Sequence, residues 1–219
     1  MPSSIVHYRG DRYMYYTGWS KAVTVPFSFH IGLAIGEGVD GSFRRYSKAP
    51  VIGRNHHDPY IVGAPFVILD GDKFRMWYIS CTGWVIEDGQ DKPKHYYTVK
   101  HAESSDGITW ETEEQLCLDY EDDEYAIARP TVTVDDGVFT MLYTYRGGDE
   151  TYRMATATST DGRTWSRQGP LRGLEPSPDG WDSEMVCYGA VLSHSATRLM
   201  LYNGNSYGAT GVGLANWVY

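Results

Sequence analysis

The chain has 219 residues, of which 42% are hydrophobic, 21% charged and 14% aromatic, a composition that excludes extended disorder and predicts one sizeable core. Its net charge of −9 excludes the clustered lysines and arginines of a nucleic-acid groove. Three scattered cysteines exclude a disulfide framework, and no apolar run has the length of a membrane span, so we expect a cytoplasmic protein without nucleic-acid or membrane partners.

Two kinds of predicted strand alternate along the chain, and each is present in four copies. We call the first strand A and the second strand B. The four copies of strand B contain Met14, Met76, Met141 and Met200, so the sequence repeats with a period of roughly 60 residues. An apolar run precedes each of these strands, and turn formers such as the Asp-Gly-Asp at 70–72 separate the two. Each sequence repeat is therefore predicted to form strand A, a tight turn, strand B, a loop, strand C, an Asp-Gly turn and strand D.

A Ser-x-Asp-Gly-x-x-Trp motif forms the Asp-Gly turn at 104–110 and 159–165, with a weaker copy within Ile31–Phe43. Its glycine permits the positive φ of a tight turn, and Asp106 or Asp161 accepts hydrogen bonds from the backbone of the turn. The tryptophan of each copy is expected to cover the gap between neighbouring units. We therefore predict that this motif stabilises the fold and takes no part in catalysis.

Four units of antiparallel strands at regular spacing are typical of a β-propeller, whose radial closure protects the sheet edges. A β-sandwich of about fifteen strands is the alternative, but a sandwich does not require the same turn at one place in each unit. No segment shows a helical period over the length that a helix needs. We therefore predict an all-β fold, a β-propeller of four-stranded antiparallel blades, in a single domain over residues 1–219. The blades are predicted at 2–50, 62–118, 128–172 and 184–219.

Acidic side chains stand in the segments that lead into strand A of three units. They are Asp58, then Asp122, Asp123 and Glu124, then Asp182 and Glu184. The innermost strands of a propeller begin at its central channel, so these carboxylates are expected to converge on one pocket. Two carboxylates near aromatic rings suit glycoside chemistry, because one donates a proton while the other attacks the sugar or activates water. The structural alternative is that each acid caps a turn or pairs with an arginine.

Seven stretches distributed from Ile31 to Ala215 read IGLAIGEGVDGSF, HHDPYIVGAPFV, RMWYIS, ARPTV, YRMATATSTDGRTW, GWDSEMVCY and LYNGNSYGATGVGLA. They resemble the five-bladed propeller glycosidases of the arabinanase, levansucrase and invertase type, and especially the predicted glycosidases of sugar and polysaccharide gene clusters. The last two stretches are the most specific.

The resemblance implies roles for individual residues. It implies Glu124 as the proton donor, Asp58 as an acid at the pocket floor, and Asp182 with Glu184 as a third acidic group. The residues expected to bind substrate or to orient the acids are His57, Arg129, Arg146, Tyr60, Trp19, Trp84, Trp181, Tyr188 and Asn203. No cofactor or metal site is predicted; a structural cation in the channel, held by His56 or His57, is the open alternative.

The chain departs from the five-bladed pattern in two places. Four repeats stand against five in the family, so the first blade is expected to be missing, in a natural short form, an open propeller completed by another subunit or a fragment of a longer protein; Ser3 and Ser4 stand where an acidic segment would be expected. Gly189 stands where the family tends to have proline, and we expect it to loosen that inner strand. A missing blade exposes sheet faces and edges, which predicts a homo-oligomer or completion by another chain.

The sequence therefore predicts a carbohydrate-active enzyme that cleaves or transfers a glycosyl group, with a saccharide or glycoside as its small-molecule partner. A glycoside phosphorylase is a second possibility, since phosphate attacks the sugar while Arg129, Arg146 and His57 bind it. A non-catalytic carbohydrate-binding or assembly module and a repurposed enzyme of a biosynthetic cluster are also compatible with the sequence, because a fold does not fix a function.

Overall fold

The computed structural model describes residues 1–148, 150–194 and 197–216, and almost all of their regular structure is β-strand. The chain forms two compact units, Met1–Asp119 and Tyr120–Tyr219. The all-β prediction is confirmed, whereas one domain with blades at the predicted bounds stays a prediction. The described part of the chain contains no helix long and apolar enough to cross a membrane.

The first unit contains two groups of four antiparallel strands, each paired in chain order. The first group consists of β1 (Pro2–Tyr8), β2 (Asp11–Lys21), β3 (Phe27–Gly36) and β4 (Phe43–Arg45). The second group consists of β5 (Val62–Asp70), β6 (Lys73–Val85), β7 (Lys94–Ser104) and β8 (Glu111–Leu116). Both groups follow the predicted succession from strand A to strand D.

The second unit contains the third and fourth groups. The third consists of β9 (Glu124–Asp135), β10 (Val138–Gly147), β11 (Arg153–Ser159) and β12 (Ser166–Pro170). The fourth consists of β13 (Cys187–His194), β14 (Thr197–Asn203) and β15 (Val212–Asn216). A one-turn segment, α1 (Asn205–Gly208), follows β14, and its Ser206 and Tyr207 have left-handed backbone conformations.

The Asp-Gly turns form as their side chains predict. Ser159 Oγ accepts a hydrogen bond from the N–H group of Gly162 at 2.9 Å. Asp161 Oδ1 accepts hydrogen bonds from the N–H groups of Arg163 and Thr164, at 2.8 Å each. Gly162 has a φ of +74°, which is why glycine is needed there. The same bonds recur around Asp106. These contacts confirm that the motif stabilises the fold.

Aromatic and methionine side chains from neighbouring strand groups share the core of each unit. In the first unit, Tyr15 of β2 and Met76 of β6 are fully buried, and Trp110 packs edge-on against Tyr15 with 5.7 Å between ring centroids. In the second unit, Leu142 of β10 is buried with Met200 of β14. The recurring methionine of strand B therefore contributes to both cores.

A β-bulge that contains a residue with left-handed backbone recurs in strand A of three groups. Ala64 in β5, Arg129 in β9 and Tyr188 in β13 have φ values of 46°, 53° and 57°. The left-handed region costs a non-glycine residue about 1–2 kcal/mol. Thr17 Oγ1 accepts the N–H group of Ala64, and Thr144 Oγ1 accepts that of Tyr188, both at 3.0 Å. The bulges thus occupy equivalent places near the start of these strands.

Gly189 follows one of these bulges and lies against the core of the second unit. A Cβ atom added there would lie 2.5 Å from Leu142 Cδ2 and 3.0 Å from Met154 Sδ. The absence of a side chain at Gly189 therefore lets β13 pack closely, which is the opposite of the loosening that the sequence led us to expect.

Candidate functional site

Asp58 lies shortly before β5 and is fully buried. Its Oδ2 accepts hydrogen bonds from Tyr78 Oη and Asn55 Nδ2, both at 3.0 Å, while Lys100 Nζ lies 3.4 Å from its Oδ1. Lys100 is also buried and donates to the carbonyl of His57 at 2.6 Å. Burial, reinforced by the carboxylate of Asp58, raises the pKa of Tyr78 well above its usual range. Asp58 is therefore ion-paired inside the first unit and has no exposed surface.

Glu124 begins β9 and lines a cavity of about 410 Å³ in the second unit. Arg167 of β12 donates to both of its carboxylate oxygens, at 3.0 and 2.8 Å, and also lies 3.4 Å from Glu121 Oε1. Tyr143 and Tyr145 contribute aromatic rings to the lining. Burial lowers the pKa of Arg167, but the bonds to Glu124 outweigh it and raise that pKa above its usual value. The predicted proton donor is thus held by a bidentate ion pair.

Asp182 and Glu184 lie in the loop before β13, and only the aspartate is buried. Asp182 Oδ2 accepts a hydrogen bond from Tyr202 Oη at 3.2 Å. Burial, together with this bond, raises the pKa of Tyr202. The N–H group of Glu184 donates to Asn205 Oδ1 at 2.8 Å, and its carbonyl accepts a bond from Arg153 Nη1 at 2.9 Å. The main chain around Glu184 is therefore fixed, while its side chain is exposed.

The strand-B tyrosines explain how the acidic segments are held. Tyr78 and Tyr202 each follow the recurring methionine by two residues, and each donates to an aspartate 20 residues upstream. Tyr143 has the same place in the third group, where Arg167 lies 3.3 Å from its hydroxyl and also binds Glu124. The predicted acids therefore occupy equivalent positions in successive groups, and each has its own polar partners.

Arg129 and Tyr188 occupy the bulges of β9 and β13. The Arg129 side chain is partly buried, and across residues 1–148, 150–194 and 197–216 it makes no hydrogen bond or ion pair. Burial lowers the pKa of Arg129, and the nearby phenol of Tyr188 opposes this effect. Arg129 and Tyr188 thus occupy equivalent bulges of the second unit, and both were predicted to bind substrate.

Arg146 lies among tyrosine rings near the end of β10. Its guanidinium carbon is 5.0 Å from the ring centroid of Tyr125 and 4.6 Å from that of Tyr152. Tyr152 contacts Tyr188 at 5.4 Å, and Tyr188 stacks on Tyr207 at 6.1 Å with an interplanar angle of 20°. Cation–π contacts of this kind favour a fixed guanidinium. We call these five residues the tyrosine cluster.

Trp19 and Trp84 meet in a separate aromatic cluster of the first unit. The ring of Phe27 lies 4.8 Å from Trp19 and 5.5 Å from Trp84, and His95 completes the cluster at 5.1 Å from Phe27. Trp19 is exposed because β2 and β3 extend as a long hairpin. The two tryptophans that were predicted to bind substrate are therefore brought together on a partly exposed surface.

His57 and Tyr60 lie close to Asp58 in the chain. The rings of His56 and His57 are 3.8 Å apart, and the N–H group of His57 donates to Asn55 Oδ1 at 2.8 Å. Tyr60 is exposed. Within the described ranges, no three His, Cys, Asp or Glu side chains form a group suited to a metal ion. A cation held by His56 or His57 stays a prediction.

Trp181 and Asn203 support the segment that carries Tyr207. Trp181 packs on Tyr202 with 5.5 Å between ring centroids, and a Cβ atom at Gly204 would lie 2.4 Å from its ring. Asn203 Nδ2 donates to the carbonyl of Tyr207 at 3.0 Å. Both predicted substrate-binding residues therefore make structural contacts, and Asn203 bonds directly to Tyr207 of the tyrosine cluster.

Sequence reasoning missed Lys100, Arg167, Tyr152 and Tyr207. A charged residue within an apolar alternating strand was the signal for Lys100, which lies on buried β7. Tyr207 stands in a glycine-rich stretch, and such stretches indicate unusual backbone. Arg167 gave no such signal, because its contact with Glu124 spans 43 residues.

No protein-family model matches the chain. The chain is 43% identical over 213 residues to Uncharacterized protein Rv1502 of Mycobacterium tuberculosis (strain ATCC 25618 / H37Rv), a match that covers 97% of this chain and 69% of that protein. Uncharacterized protein MT1551 of strain CDC 1551 / Oshkosh gives the same identity and coverage. The chain belongs to the family of these mycobacterial proteins.

Solved structures of glycoside hydrolases share the fold of this chain. A glycoside hydrolase superposes with a TM-score of 0.75 at 19% identity, over 96% of this chain and 63% of that one. A thermostable family-43 glycoside hydrolase has a TM-score of 0.76 at 17% identity, over 100% and 71%. A third structure belongs to the GH130 family of mannoside phosphorylases, which contains glycoside hydrolases that target β-1,2 mannosidic linkages in Candida mannan. It has a TM-score of 0.69 at 16% identity, over 99% of this chain and 66% of that one.

These likenesses establish the fold and confirm the predicted resemblance at that level. The chain spans 63% of the length of the first glycoside hydrolase and 69% of its mycobacterial relatives. The likeness therefore concerns the part of each glycoside hydrolase that superposes on this chain.

Proposed function

We propose that the chain is a carbohydrate-active enzyme of the glycoside hydrolase type, a β-propeller with four blades that cleaves or transfers a glycosyl group. The fold shared with glycoside hydrolases supports this proposal. The observation that carries it is the cavity of about 410 Å³ beside Glu124, where carboxylates, a guanidinium and two tyrosine rings lie together. Such a cavity offers acids for glycosyl transfer and apolar faces for a sugar ring.

Glu124 has the role of general acid in this proposal. To donate a proton, Glu124 must carry it on one carboxylate oxygen, and that oxygen must then leave Arg167. Arg167 is therefore a positioning residue whose bonds to Glu124 change during turnover. The base or nucleophile stays the predicted Asp182 or Asp58, with Glu184 close to Asp182 in the chain, and neither aspartate is among the residues that line the cavity beside Glu124. We favour Asp182, because it is 5% exposed whereas Asp58 has no exposed surface.

A panel of aryl glycosides, assayed with and without phosphate, tests the proposal. Glu124→Gln should lower turnover by roughly 10²- to 10⁴-fold, the usual contribution of a general acid, while leaving saccharide binding intact. Glu114→Gln is the matched control, since Glu114 is an exposed glutamate of the first unit. Full activity in Glu124→Gln would show that the acid is assigned wrongly. Saccharide binding without any turnover by the wild-type chain would overturn the enzyme proposal itself.

A glycoside phosphorylase is the second candidate. The structural likeness to a GH130 protein supports it, because that family includes mannoside phosphorylases. Phosphate would then replace water as the attacking group, so one fewer carboxylate is needed. Release of a sugar 1-phosphate that depends on added phosphate distinguishes this activity from hydrolysis.

A carbohydrate-binding or assembly module that lacks turnover is the candidate from another class. The pairing of Asp58 with Lys100 and of Glu124 with Arg167 favours it, since both carboxylates are then held in structural ion pairs. Calorimetric titration with saccharides that the chain does not cleave would identify such a module. A repurposed enzyme of a biosynthetic cluster would instead turn over an activated sugar and no simple glycoside.

The location and the partners of the chain belong to the same proposal. A cytoplasmic location, the absence of nucleic-acid and membrane partners, and a homo-oligomer or completion by another chain all stay predictions. Self-association is the most accessible of them to experiment, because it changes the mass of the particle in solution.

A further inference from the structure

Arg129 is a charged side chain without a counter-ion among the described residues. It stands in the bulge of β9 with a φ of 53°, and it is partly buried. Among the residues that the structure describes, none forms a hydrogen bond or ion pair with it. The phenol of Tyr188, in the equivalent bulge of β13, is the group that acts on it electrostatically.

Removal of a guanidinium from water is costly unless an anion compensates for it. Arg167 and Arg198 of this unit have such an anion: Arg167 bonds to Glu124 at 2.8 Å, and Arg198 bonds to Asp135 at 2.7 Å. Arg129 differs from both. Its charge is partly desolvated, and the described part of the chain does not compensate for it. Its backbone is also strained, as is often found at functional sites.

Tyr188 and Tyr207 form a stacked aromatic pair in the same unit. Their rings lie 6.1 Å apart at an interplanar angle of 20°, and Tyr207 is 52% exposed. Tyr188, Ser206 and Tyr207 all have left-handed backbone, with φ values of 57°, 54° and 61°. Strain of this kind in non-glycine residues is often found where a protein clamps a ligand.

We propose that the second unit binds a saccharide that carries an oxyanion, either the carboxylate of a sugar acid or a phosphate ester. Arg129 pairs with the oxyanion, and the exposed ring of Tyr207, backed by Tyr188, stacks on the sugar ring. The planar guanidinium matches both oxyanions through two parallel N–H bonds, and aromatic rings suit the apolar face of a sugar. The saccharide part rests on the proposed function, whereas the oxyanion part rests on Arg129 alone.

Calorimetric titration of the intact chain tests the inference with four probes: glucose, glucuronate, glucose 6-phosphate and inorganic phosphate. We expect glucuronate or glucose 6-phosphate to bind about 10- to 100-fold more tightly than glucose, the range expected for a charge-assisted bond. Whichever of the two binds more tightly identifies the oxyanion as a carboxylate or a phosphate.

Arg129→Gln should remove this preference and bring the acidic sugars to the affinity of glucose. Arg129→Lys, which keeps the charge but not the planar fork, should have intermediate affinity. Arg172→Gln is the matched control, because Arg172 is an exposed arginine of the same unit that makes no polar contact with other described residues. Arg129→Gln removes a charge that the described residues do not compensate, so its melting temperature should equal or exceed that of the wild type. This separates lost binding from unfolding.

Tyr207→Ala should weaken binding of the three sugar probes and leave inorganic phosphate unchanged. Equal affinities for glucose and the acidic sugars, unchanged binding in Arg129→Gln, or no binding of any oxyanion would each overturn the inference. Turnover of neutral glycosides without preference for an oxyanion would overturn it while the proposed function stands. Phosphate binding that depends on Arg129, without binding of any saccharide, would support the oxyanion site and overturn the proposed function.

Discussion

Asp58 and Lys100 form a buried ion pair at the residue scale. The aspartate is fully buried and the lysine nearly so, with 3.4 Å between Nζ and Oδ1. Tyr78 and Asn55 satisfy the other carboxylate oxygen. A buried charge is tolerated because its partner and its hydrogen bonds offset the loss of water, and removal of one partner leaves the other uncompensated.

Asp58→Asn is therefore expected to lower the free energy of unfolding by about 3–5 kcal/mol, since Lys100 keeps its charge in a buried site. Urea denaturation measures the change. Asp72→Asn, at an exposed position of the same unit, is the matched control and should change stability by less than about 0.5 kcal/mol. Adding Lys100→Met to Asp58→Asn should recover part of the loss. If Asp58→Asn is as stable as the control, the ion pair has no structural role.

At the element scale, the Asp-Gly turn is a self-contained hydrogen-bonded unit. The bonds from the N–H groups of Thr164 and Arg163 lower the pKa of Asp161 to about 2. An aspartate whose pKa is below its ordinary value stabilises the fold when ionised. This stabilisation is present above about pH 4 and is lost as the pH falls through about 2, because the unfolded chain takes up the proton first.

Asp161→Asn keeps an acceptor oxygen but removes the charge, so the variant should be less stable than the wild type at about pH 7. The difference should shrink between about pH 4 and pH 2, as the wild-type aspartate is protonated. Urea denaturation at several pH values measures it. Asp179→Asn, at an exposed position of the same unit, should show no such pH dependence. A stability difference that stays constant across this acidic range would contradict the assigned role of the carboxylate.

The bulge in strand A is a second recurring element, and it determines where Arg129 and Tyr188 stand. A bulge turns one residue out of register, and in this chain that residue is Ala64, Arg129 or Tyr188. The same backbone device therefore presents a methyl group, a guanidinium or a phenol. The scaffold fixes the place, and the residue type at that place sets the chemistry.

At the scale of the whole molecule, the sheet of β13, β14 and β15 has two apolar faces. Met200 and Tyr202 on one face are buried, whereas Leu201 on the other face pairs with Leu214, which is 64% exposed. Val212 is exposed on this second face. An exposed apolar face of this kind favours association, and we expect a second copy of the chain to cover it.

Replacement of both Leu201 and Leu214 by lysine should shift the chain toward the monomer. Charges at the centre of an apolar interface are not compensated, so association becomes unfavourable. Light scattering after size-exclusion chromatography measures the mass. Leu69→Lys, at another exposed leucine, is the control and should leave the mass unchanged. A wild-type chain that is monomeric at every concentration would contradict self-association.

Much of the fold could be predicted because its signals are local. The turn at Asp161 depends on hydrogen bonds within a few residues, and each strand is indicated by the alternation of neighbouring apolar residues. The methionines of strand B, such as Met76 and Met200, mark the same local pattern in each repeat. The predicted acids lie shortly before or at the start of strand A in three groups, whereas their convergence on one pocket stays a prediction. Their partners could not be predicted, because Arg167 reaches Glu124 across strands and the two residues are 43 positions apart in the chain.

The sequence by itself determined an all-β chain, its repeated strands, its turns and the positions of its acidic segments, since each depends on residues that are neighbours along the chain. Only the tertiary structure decided how the charged side chains pair. Lys100 reaches Asp58 and Arg167 reaches Glu124, while Arg129 has no partner within the described ranges. Electrostatic pairing depends on distances through space, and those are set when the strands pack.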